Sequence, residues 1–168
     1  MKNIVYIFLI SMLPLIELRG AVPVGAALEV PFYTNYIAAV IGNILPIPFI
    51  LLFIPKILDF LGRFRPFAPI VDWLKKKADK HSAKILKGPV GDGKVRRFRL
   101  DGTFFGLLFF VMLPIPGTGA WSGALVAALF RLPRLYSFIA ILIGVLLCGV
   151  IMVLASYGVV GFLSFLAS

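Results

Sequence analysis

The chain has 168 residues, a formal net charge of +10 and a hydrophobic fraction of 61%. A soluble domain has about 45–50% apolar residues, and a domain of this size exposes too much surface to hide the excess in its core. The composition therefore excludes an ordinary soluble domain and predicts one integral membrane domain, residues 1–168.

The basic residues are concentrated in one segment, residues 56–101, which holds thirteen of the 17 Lys and Arg residues. A basic loop between apolar segments is typical of the cytoplasmic side of a membrane protein, and it can also contact anionic lipid headgroups. Its early aromatic and basic residues alternate as in an amphipathic stretch on the membrane surface. We therefore predict a basic amphipathic cytoplasmic linker, and no nucleic-acid partner because no base-reading motif accompanies the charge.

The sequence contains none of the common motifs of enzyme active sites. Ser-His-Asp, Walker and metal-binding patterns do not occur, and Cys148 and His81 are the single Cys and the single His. Cys148 lies in an apolar run, which favours a packing role. The sequence therefore predicts no enzymatic activity, no metal and no other cofactor, with proton coupling left open.

The first apolar segment, residues 4–16, is shorter than the about 20 residues that a spanning helix needs. It resembles the start of a signal peptide, but we expect it to be retained, because charged residues occupy the cleavage region and apolar sequence follows. The next residues, Glu17-Leu18-Arg19-Gly20-Ala21-Val22-Pro23, are the first interruption of the apolar sequence, and another short apolar piece follows, to Val30.

The first full-length span is predicted over residues 33–54. It contains Asn43, Pro46 and Pro48, and the two prolines should kink or break the helix locally. Asn43 is a candidate for lining a cavity, with a plain structural kink as the alternative.

The second half repeats this order after the linker. Residues 103–113 are again apolar and too short to span, and a short helix over 122–130, a full span over 135–157 and an apolar tail over 158–168 follow the second interruption. That interruption reads Pro114-Ile115-Pro116-Gly117-Thr118-Gly119-Ala120-Trp121.

The two halves, residues 1–55 and 102–157, also match in letters. Met-Leu-Pro occurs at 12–14 and at 112–114, and a segment from proline to glycine at 31–42 matches one at 133–144. With the basic linker in the cytoplasm, the two spans run in opposite directions, and each short apolar pair can form a re-entrant hairpin. We therefore predict an all-α membrane protein of two inverted repeats, each a re-entrant helical hairpin followed by a transmembrane helix.

Paired interruptions of this kind indicate a transport site near the midplane of the bilayer. Every backbone N–H and C=O within hydrocarbon needs a partner, so a break is tolerated only where protein or a watery cavity covers it. The two interruptions are therefore predicted to line one central cavity.

Glu17 and Arg19 are the first candidate site residues. An ionisable residue at membrane depth costs roughly 2.5–3.5 kcal/mol on insertion scales, so its presence favours a function. Arg19 has the forked donors that bind an anionic headgroup such as phosphate, and Glu17 would carry a proton or pair with Arg19. The alternative is a surface loop in which both charges are solvated.

The second interruption offers glycines that allow close backbone approach, a hydroxyl at Thr118, and a helix N-terminus that can face an anion. The alternative is a tight turn with Trp121 as an interfacial anchor. The full predicted substrate-binding set is Glu17, Arg19, Gly20, Pro23, Asn43, Pro114, Pro116, Gly117, Thr118, Gly119 and Trp121.

These two motifs resemble those of the putative small multidrug export protein family, over nearly the whole chain. The layout is similar to that of the DedA (VTT) superfamily, which pairs two opposed re-entrant hairpins with membrane-spanning helices. The resemblance implies a membrane transporter; DedA relatives move lipids, notably undecaprenyl phosphate, and some depend on the proton motive force. Their acidic and arginine residues occur in both hairpins, whereas here Glu17 and Arg19 match the first and no charge lies between Pro114 and Phe130.

The favoured function is therefore transport or flipping of a lipid-linked or amphipathic anion, such as a polyprenyl (undecaprenyl) phosphate, by an inner-membrane protein that we expect to form a homodimer and to contact anionic phospholipid. A small-molecule or multidrug exporter is the alternative. A different class is a non-transporting membrane organiser or assembly factor whose basic linker recruits a partner.

Overall fold

The computed structural model describes residues 2–61, 102–115, 117–130 and 132–167, and all the regular elements in these ranges are helices. The first part contains α1 (Lys2–Ser11), α2 (Glu17–Ala27), α3 (Phe32–Ile44) and α4 (Ile47–Leu61). The second part contains α5 (Gly102–Met112), α6 (Ala120–Leu129) and α7 (Arg134–Ala167). Most of the predicted basic linker, residues 62–101, lies outside the described residues.

Two stretches are long and apolar enough to cross a membrane, Phe32–Ile57 and Arg134–Val159, each of 26 residues. The first joins α3 and α4 across a local break at residues 45 and 46. Proline has no N–H for the helical ladder, so Pro46 accounts for this interruption, as the sequence predicts. The all-helical membrane character expected from the composition is thus confirmed in the described residues.

Three boundaries differ from the sequence-based prediction. The segment that begins at Glu17 is itself helix α2, with Pro23 inside it, and the first break lies earlier, at residues 12–16. Helix α6 begins at Ala120 rather than at residue 122. The apolar tail from residue 158 continues α7 without interruption, because no proline or charged residue separates it from the span.

The helices pack through small residues. Alanines such as Ala21, Ala39, Ala124 and Ala140 are fully buried, as expected where helices in a membrane approach each other closely. Large apolar side chains such as Phe109 are instead exposed over much of the surface. This distribution fits an exterior that faces lipid.

Helix α1 crosses α3 closely, and α5 crosses α7 in the same way. A Cβ at Gly42 would lie 2.3 Å from the carbonyl oxygen of Phe8, and a Cβ at Gly144 would lie 2.9 Å from that of Leu108. These backbones approach so closely that only glycine fits without a shift. The short second helices pack on the opposite half, α2 against α7 and α6 against α4.

The turn after α2 and the turn after α6 have the same hydrogen bonds. Val30 N–H donates to Gly25 O at 3.0 Å, and Leu132 N–H donates to Ala127 O at 2.9 Å. In each pair the donor follows the acceptor by five residues, as in a Schellman motif. The two turns lie 102 residues apart in the sequence, as do the matching segments that follow them.

A polar cluster attaches the first turn to the second span. Asn35, fully buried on α3, donates through Nδ2 to Val22 O and to the Tyr157 hydroxyl, both at 2.9 Å. The Tyr157 hydroxyl in turn donates to Val30 O. The C-terminal part of α7 is therefore connected to the turn between α2 and α3.

Candidate functional site

Glu17 begins α2 in an unusual backbone conformation. Its φ is +52°, in the left-handed region that glutamate rarely adopts, and the residue is only 5% exposed. Its carboxylate oxygen Oε1 accepts the backbone N–H of Trp121 at 3.2 Å. Glu17, which directly follows the first break, thus contacts the helix that follows the second break.

The Glu17 carboxylate lies at the N-terminus of α6. Gly119 is the N-cap residue of this helix, and no side-chain oxygen of its own segment caps it. A Cβ at Gly119 would lie 1.4 Å from Glu17 Oε2, so glycine leaves the space that the carboxylate fills. The first N–H groups of a helix have no partner within it and attract negative charge. Glu17 therefore caps α6 from another part of the chain.

Arg19 lies at the C-terminal end of α5, whereas Glu17 lies at the N-terminal end of α6. Its Nη2 donates to Val111 O at 3.0 Å and to Leu113 O, which are carbonyls at the C-terminal end of α5. Its Nη1 lies 3.4 Å from Glu17 Oε2. Helix C-termini carry partial negative charge and free carbonyls, so the guanidinium suits α5 as the carboxylate suits α6.

The backbone at the start of α2 explains how residues two apart in sequence can meet. On a continuous helix such residues point to different faces. Because Glu17 is in the left-handed region, its side chain departs from the helical direction and turns toward that of Arg19. The pairing of Glu17 with Arg19, one of the two roles that the sequence analysis gives to Glu17, is present in this geometry.

The second break is closed by its own polar groups. The Thr118 hydroxyl lies within hydrogen-bonding distance of two carbonyl oxygens of the same break, Leu113 O at 3.1 Å and Ile115 O at 2.9 Å, and shares its one hydrogen between them. Gly117 has φ of +90°. It follows Glu17 by 100 residues, the offset of the two Met-Leu-Pro segments, so the two halves have a left-handed residue at matching positions.

A small cavity lies beside the ion pair. It has a volume of about 10 Å³, about the room that one water molecule needs. Asn43 borders it from α3 and is 3% exposed, and its Oδ1 has no partner; Arg19 Nε is likewise buried without one. The lining residues are Glu17, Leu18, Arg19, Asn43, Val111, Gly119, Ala120, Val145 and Cys148.

The structure brings together part of the predicted set. Glu17, Arg19, Asn43 and Gly119 line the cavity, and Trp121 joins them through its backbone N–H.

The other predicted residues lie apart from the cavity. Gly20 packs under Ile16, where an added Cβ would lie 2.3 Å from the Ile16 side chain, and Pro23 is half-buried further along α2. Thr118 bonds within its own break. Pro114 and Gly117 are exposed, and Pro116 lies outside the described residues.

Several residues at the cavity are missed by the sequence-based prediction. Val111, Val145 and Ala120 carry no chemical signal that separates them from other apolar residues. Cys148, predicted to be a packing residue, is buried and also borders the cavity. Among the described residues, no three His, Cys, Asp or Glu side chains come together as a metal site.

Comparison with known proteins identifies a family. A family model described as "Putative small multi-drug export protein" matches residues 17–151, which is most of the chain and includes Glu17, Arg19 and the second break. This match confirms the resemblance predicted from the two motifs. The comparisons with curated proteins and with solved structures gave no match. The family description fits the exporter alternative better than the polyprenyl-phosphate flippase.

Proposed function

Because the chain belongs to the family of putative small multi-drug export proteins, we propose that it exports small amphipathic molecules across the plasma membrane in exchange for protons. The observation that carries the proposal is the buried Glu17–Arg19 pair, which connects the two helix breaks. Ionisable residues buried in membrane proteins commonly mark substrate pathways or proton relays. The proposal is for transport without chemical conversion of the substrate.

The proposed architecture is two inverted repeats with re-entrant hairpins. Helices α1, α2, α5 and α6 have 10 or 11 residues, and at 1.5 Å per residue they are about 15–17 Å long. This is about half of the about 30 Å hydrocarbon core, which suits hairpins that enter and leave on one side. The recurring turn at a 102-residue offset and the left-handed residues at matching positions in the two halves support the same arrangement.

The orientation follows from the charge. With the basic residues 56–101 in the cytoplasm, the first hairpin enters from the outside and the second from the cytoplasm. The two breaks then meet near the midplane, where discontinuous helices of transporters place their sites. A homodimer would cover exposed residues at the breaks, such as Leu15, where backbone groups within hydrocarbon need partners.

Glu17 is the proposed proton carrier. When the carboxylate is ionised, it holds both the α6 N-terminus and the Arg19 guanidinium. Protonation removes its negative charge and weakens both interactions, so the halves are less firmly joined at the breaks. A two-state change biased in this way by a proton is a suitable element for alternating access.

A polyprenyl phosphate is a second candidate substrate, favoured by one observation. The Arg19 guanidinium and the N-terminus of α6 lie side by side, and both bind phosphate well. In this structure the Glu17 carboxylate and the α5 carbonyls engage them. A phosphate would therefore have to displace Glu17, which protonation of the carboxylate would assist.

The test uses the full chain reconstituted in liposomes with an imposed pH gradient. A cationic, a neutral and an anionic amphipathic dye, together with a fluorescent polyprenyl phosphate, are followed separately. We expect at least one dye to move faster than in empty liposomes and to move with a counter-flow of protons. Faster movement of the polyprenyl phosphate alone would favour the second candidate.

The matched variants are Glu17→Gln and Glu29→Gln, since Glu29 is exposed in the turn that follows α2. Glu17→Gln should abolish proton-driven movement, whereas Glu29→Gln should retain it. If all probes move as in empty liposomes, transport is contradicted and a membrane organiser becomes the better explanation. If Glu17→Gln behaves as the wild type, Glu17 does not carry the proton.

A further inference from the structure

Two buried polar atoms beside the ion pair lack partners. Asn43 Oδ1 is an acceptor on α3, and Arg19 Nε is a donor on α2. Buried polar groups in folded proteins are nearly always hydrogen-bonded to protein or to ordered water. Both side chains border the same cavity, so one small molecule or ion bound there can form hydrogen bonds with both atoms.

The size and the polar lining of the cavity restrict which molecule or ion can bind there. Its volume of about 10 Å³ holds one water molecule and little more. An anion would face the Glu17 carboxylate and Asn43 Oδ1, whereas a cation would face the Arg19 guanidinium. A water molecule can accept from Arg19 Nε and donate to Asn43 Oδ1 and to Glu17, which gives the usual count of about three hydrogen bonds for a buried water.

We infer that this cavity binds one ordered water that links Asn43 to the Glu17–Arg19 pair, and that Asn43 is a positioning residue for proton transfer to Glu17. The second part rests on the proposed function, whereas the water site itself does not. A proton that arrives at this water passes on from it to a Glu17 oxygen, so the water is regenerated in each transfer.

The titratable groups that face Glu17 across the cavity are Arg19 from α2 and Cys148 from α7. The lining residues on α3, α5 and α6 contribute the Asn43 amide, an apolar side chain and backbone groups.

Substitution of Asn43 separates this role from packing. Asn43→Leu nearly conserves volume but removes the acceptor, and Asn43→Ser keeps a hydroxyl acceptor with room for a second water. Asn3→Leu is the matched control, because Asn3 is exposed on α1. The site is read directly in a high-resolution crystal structure of the full chain grown from a lipid phase.

We expect the wild type to show a water peak within hydrogen-bonding distance of Arg19 Nε and Asn43 Oδ1, and Asn43→Leu to show none. A dry wild-type cavity, or an Asn43 amide oxygen bonded to protein, would overturn the water site. The water peak does not depend on transport, so a protein that moves no probe but holds this water contradicts the proposed function alone.

The positioning role is read in the liposome assay with a dye that the wild type moves. Losing a positioned group that itself transfers the proton typically lowers the rate at least about a hundredfold. Asn43 acts only through the water, so we expect a smaller effect: Asn43→Leu should slow proton-driven movement of the dye by about tenfold or more. Its pH profile should also shift, whereas Asn43→Ser and Asn3→Leu should keep the wild-type profile. An Asn43→Leu protein with the wild-type rate and pH profile would refute the role of Asn43.

Discussion

At the scale of single residues, the ion pair depends on helix ends as much as on its own two charges. A buried pair gains little net stability unless further hydrogen bonds satisfy its remaining donors and acceptors. Here the α6 N–H groups supply a donor for Glu17, and the α5 carbonyls accept from Arg19. The pair therefore satisfies backbone groups that the second break leaves without helical partners.

Removing one charge of the Glu17–Arg19 pair should lower the free energy of unfolding more than removing both charges. Arg19→Ala leaves the Glu17 carboxylate buried without its partner, and breaking a buried pair in this way costs about 3–5 kcal/mol. Adding Glu17→Gln removes the uncompensated charge, so the double variant should be more stable than Arg19→Ala alone. The measurement is the free energy of unfolding of the purified protein in detergent.

The control for this comparison is Arg134→Ala, since Arg134 is exposed at the start of α7 and should change stability little. A double variant that is less stable than Arg19→Ala would mean that the Glu17 carboxylate is stabilised without the guanidinium. The α6 N-terminus would then be its main partner.

Sequence reasoning identifies Glu17 and Arg19 because charge within apolar sequence is rare. It does not identify their partners, because Val111 and Leu113 contribute carbonyl oxygens from more than ninety residues away, and any residue type can supply a carbonyl. The left-handed conformation of Glu17 is also hidden, since glutamate seldom adopts it. By contrast, Gly117 and Gly119 are recognisable as places where the backbone turns or is approached closely.

At the scale of helices, glycine sets how closely the first helix of each half packs on its span. Gly42 and Gly144 occupy matching positions and face the carbonyl oxygens of Phe8 and Leu108. A backbone carbonyl cannot move aside as a flexible side chain can. The shorter distance at Gly42 makes the α1–α3 crossing the tighter of the two.

Alanine at these glycines should destabilise the protein in the order of the distances. Overpacking of a close contact typically costs about 1–3 kcal/mol, so we expect Gly42→Ala, with a Cβ 2.3 Å from Phe8 O, to lower stability more than Gly144→Ala, at 2.9 Å from Leu108 O. Thermal unfolding in one detergent gives the comparison.

Gly106→Ala is the matched control, because a Cβ there meets nothing within 4 Å and alanine favours a helix interior over glycine. It should unfold at the wild-type temperature or above. If Gly42→Ala unfolds at the same temperature as Gly106→Ala, the close crossing of α1 and α3 is contradicted.

Apolar runs predict most of the helices but not where the helices end, and they do not predict that α2 begins at Glu17, within the first interruption. Pro46 marks a real break, since its missing N–H interrupts the ladder. Pro23 lies inside α2 without ending it, although it is the seventh residue of that helix and lies beyond the first turn, where a missing N–H would remove no helical hydrogen bond. The end of α7 was missed because apolar composition alone does not separate a span from its continuation.

At the scale of the whole molecule, the direction of each hairpin determines whether the halves are inverted repeats. If α1 and α2 form a re-entrant hairpin, both ends of that hairpin lie on one side of the membrane. If instead they cross together, the ends lie on opposite sides, since the two helices add up to about 30 Å, one hydrocarbon thickness. The same choice applies to α5 and α6.

Single cysteines can distinguish these arrangements in a Cys148→Ala background, which removes the native thiol. The variants Asn3→Cys and Glu29→Cys mark the two ends of the first hairpin, and Gly102→Cys and Arg134→Cys mark the two ends of the second; all four residues are exposed. A membrane-impermeant maleimide is applied to right-side-out and to inside-out vesicles. We expect positions 3 and 29 to react from the outer side and positions 102 and 134 from the cytoplasmic side. Reaction of positions 3 and 29 from opposite sides would instead make α1 and α2 a broken span, and the ion pair would then join a crossing helix to a hairpin rather than two opposed hairpins.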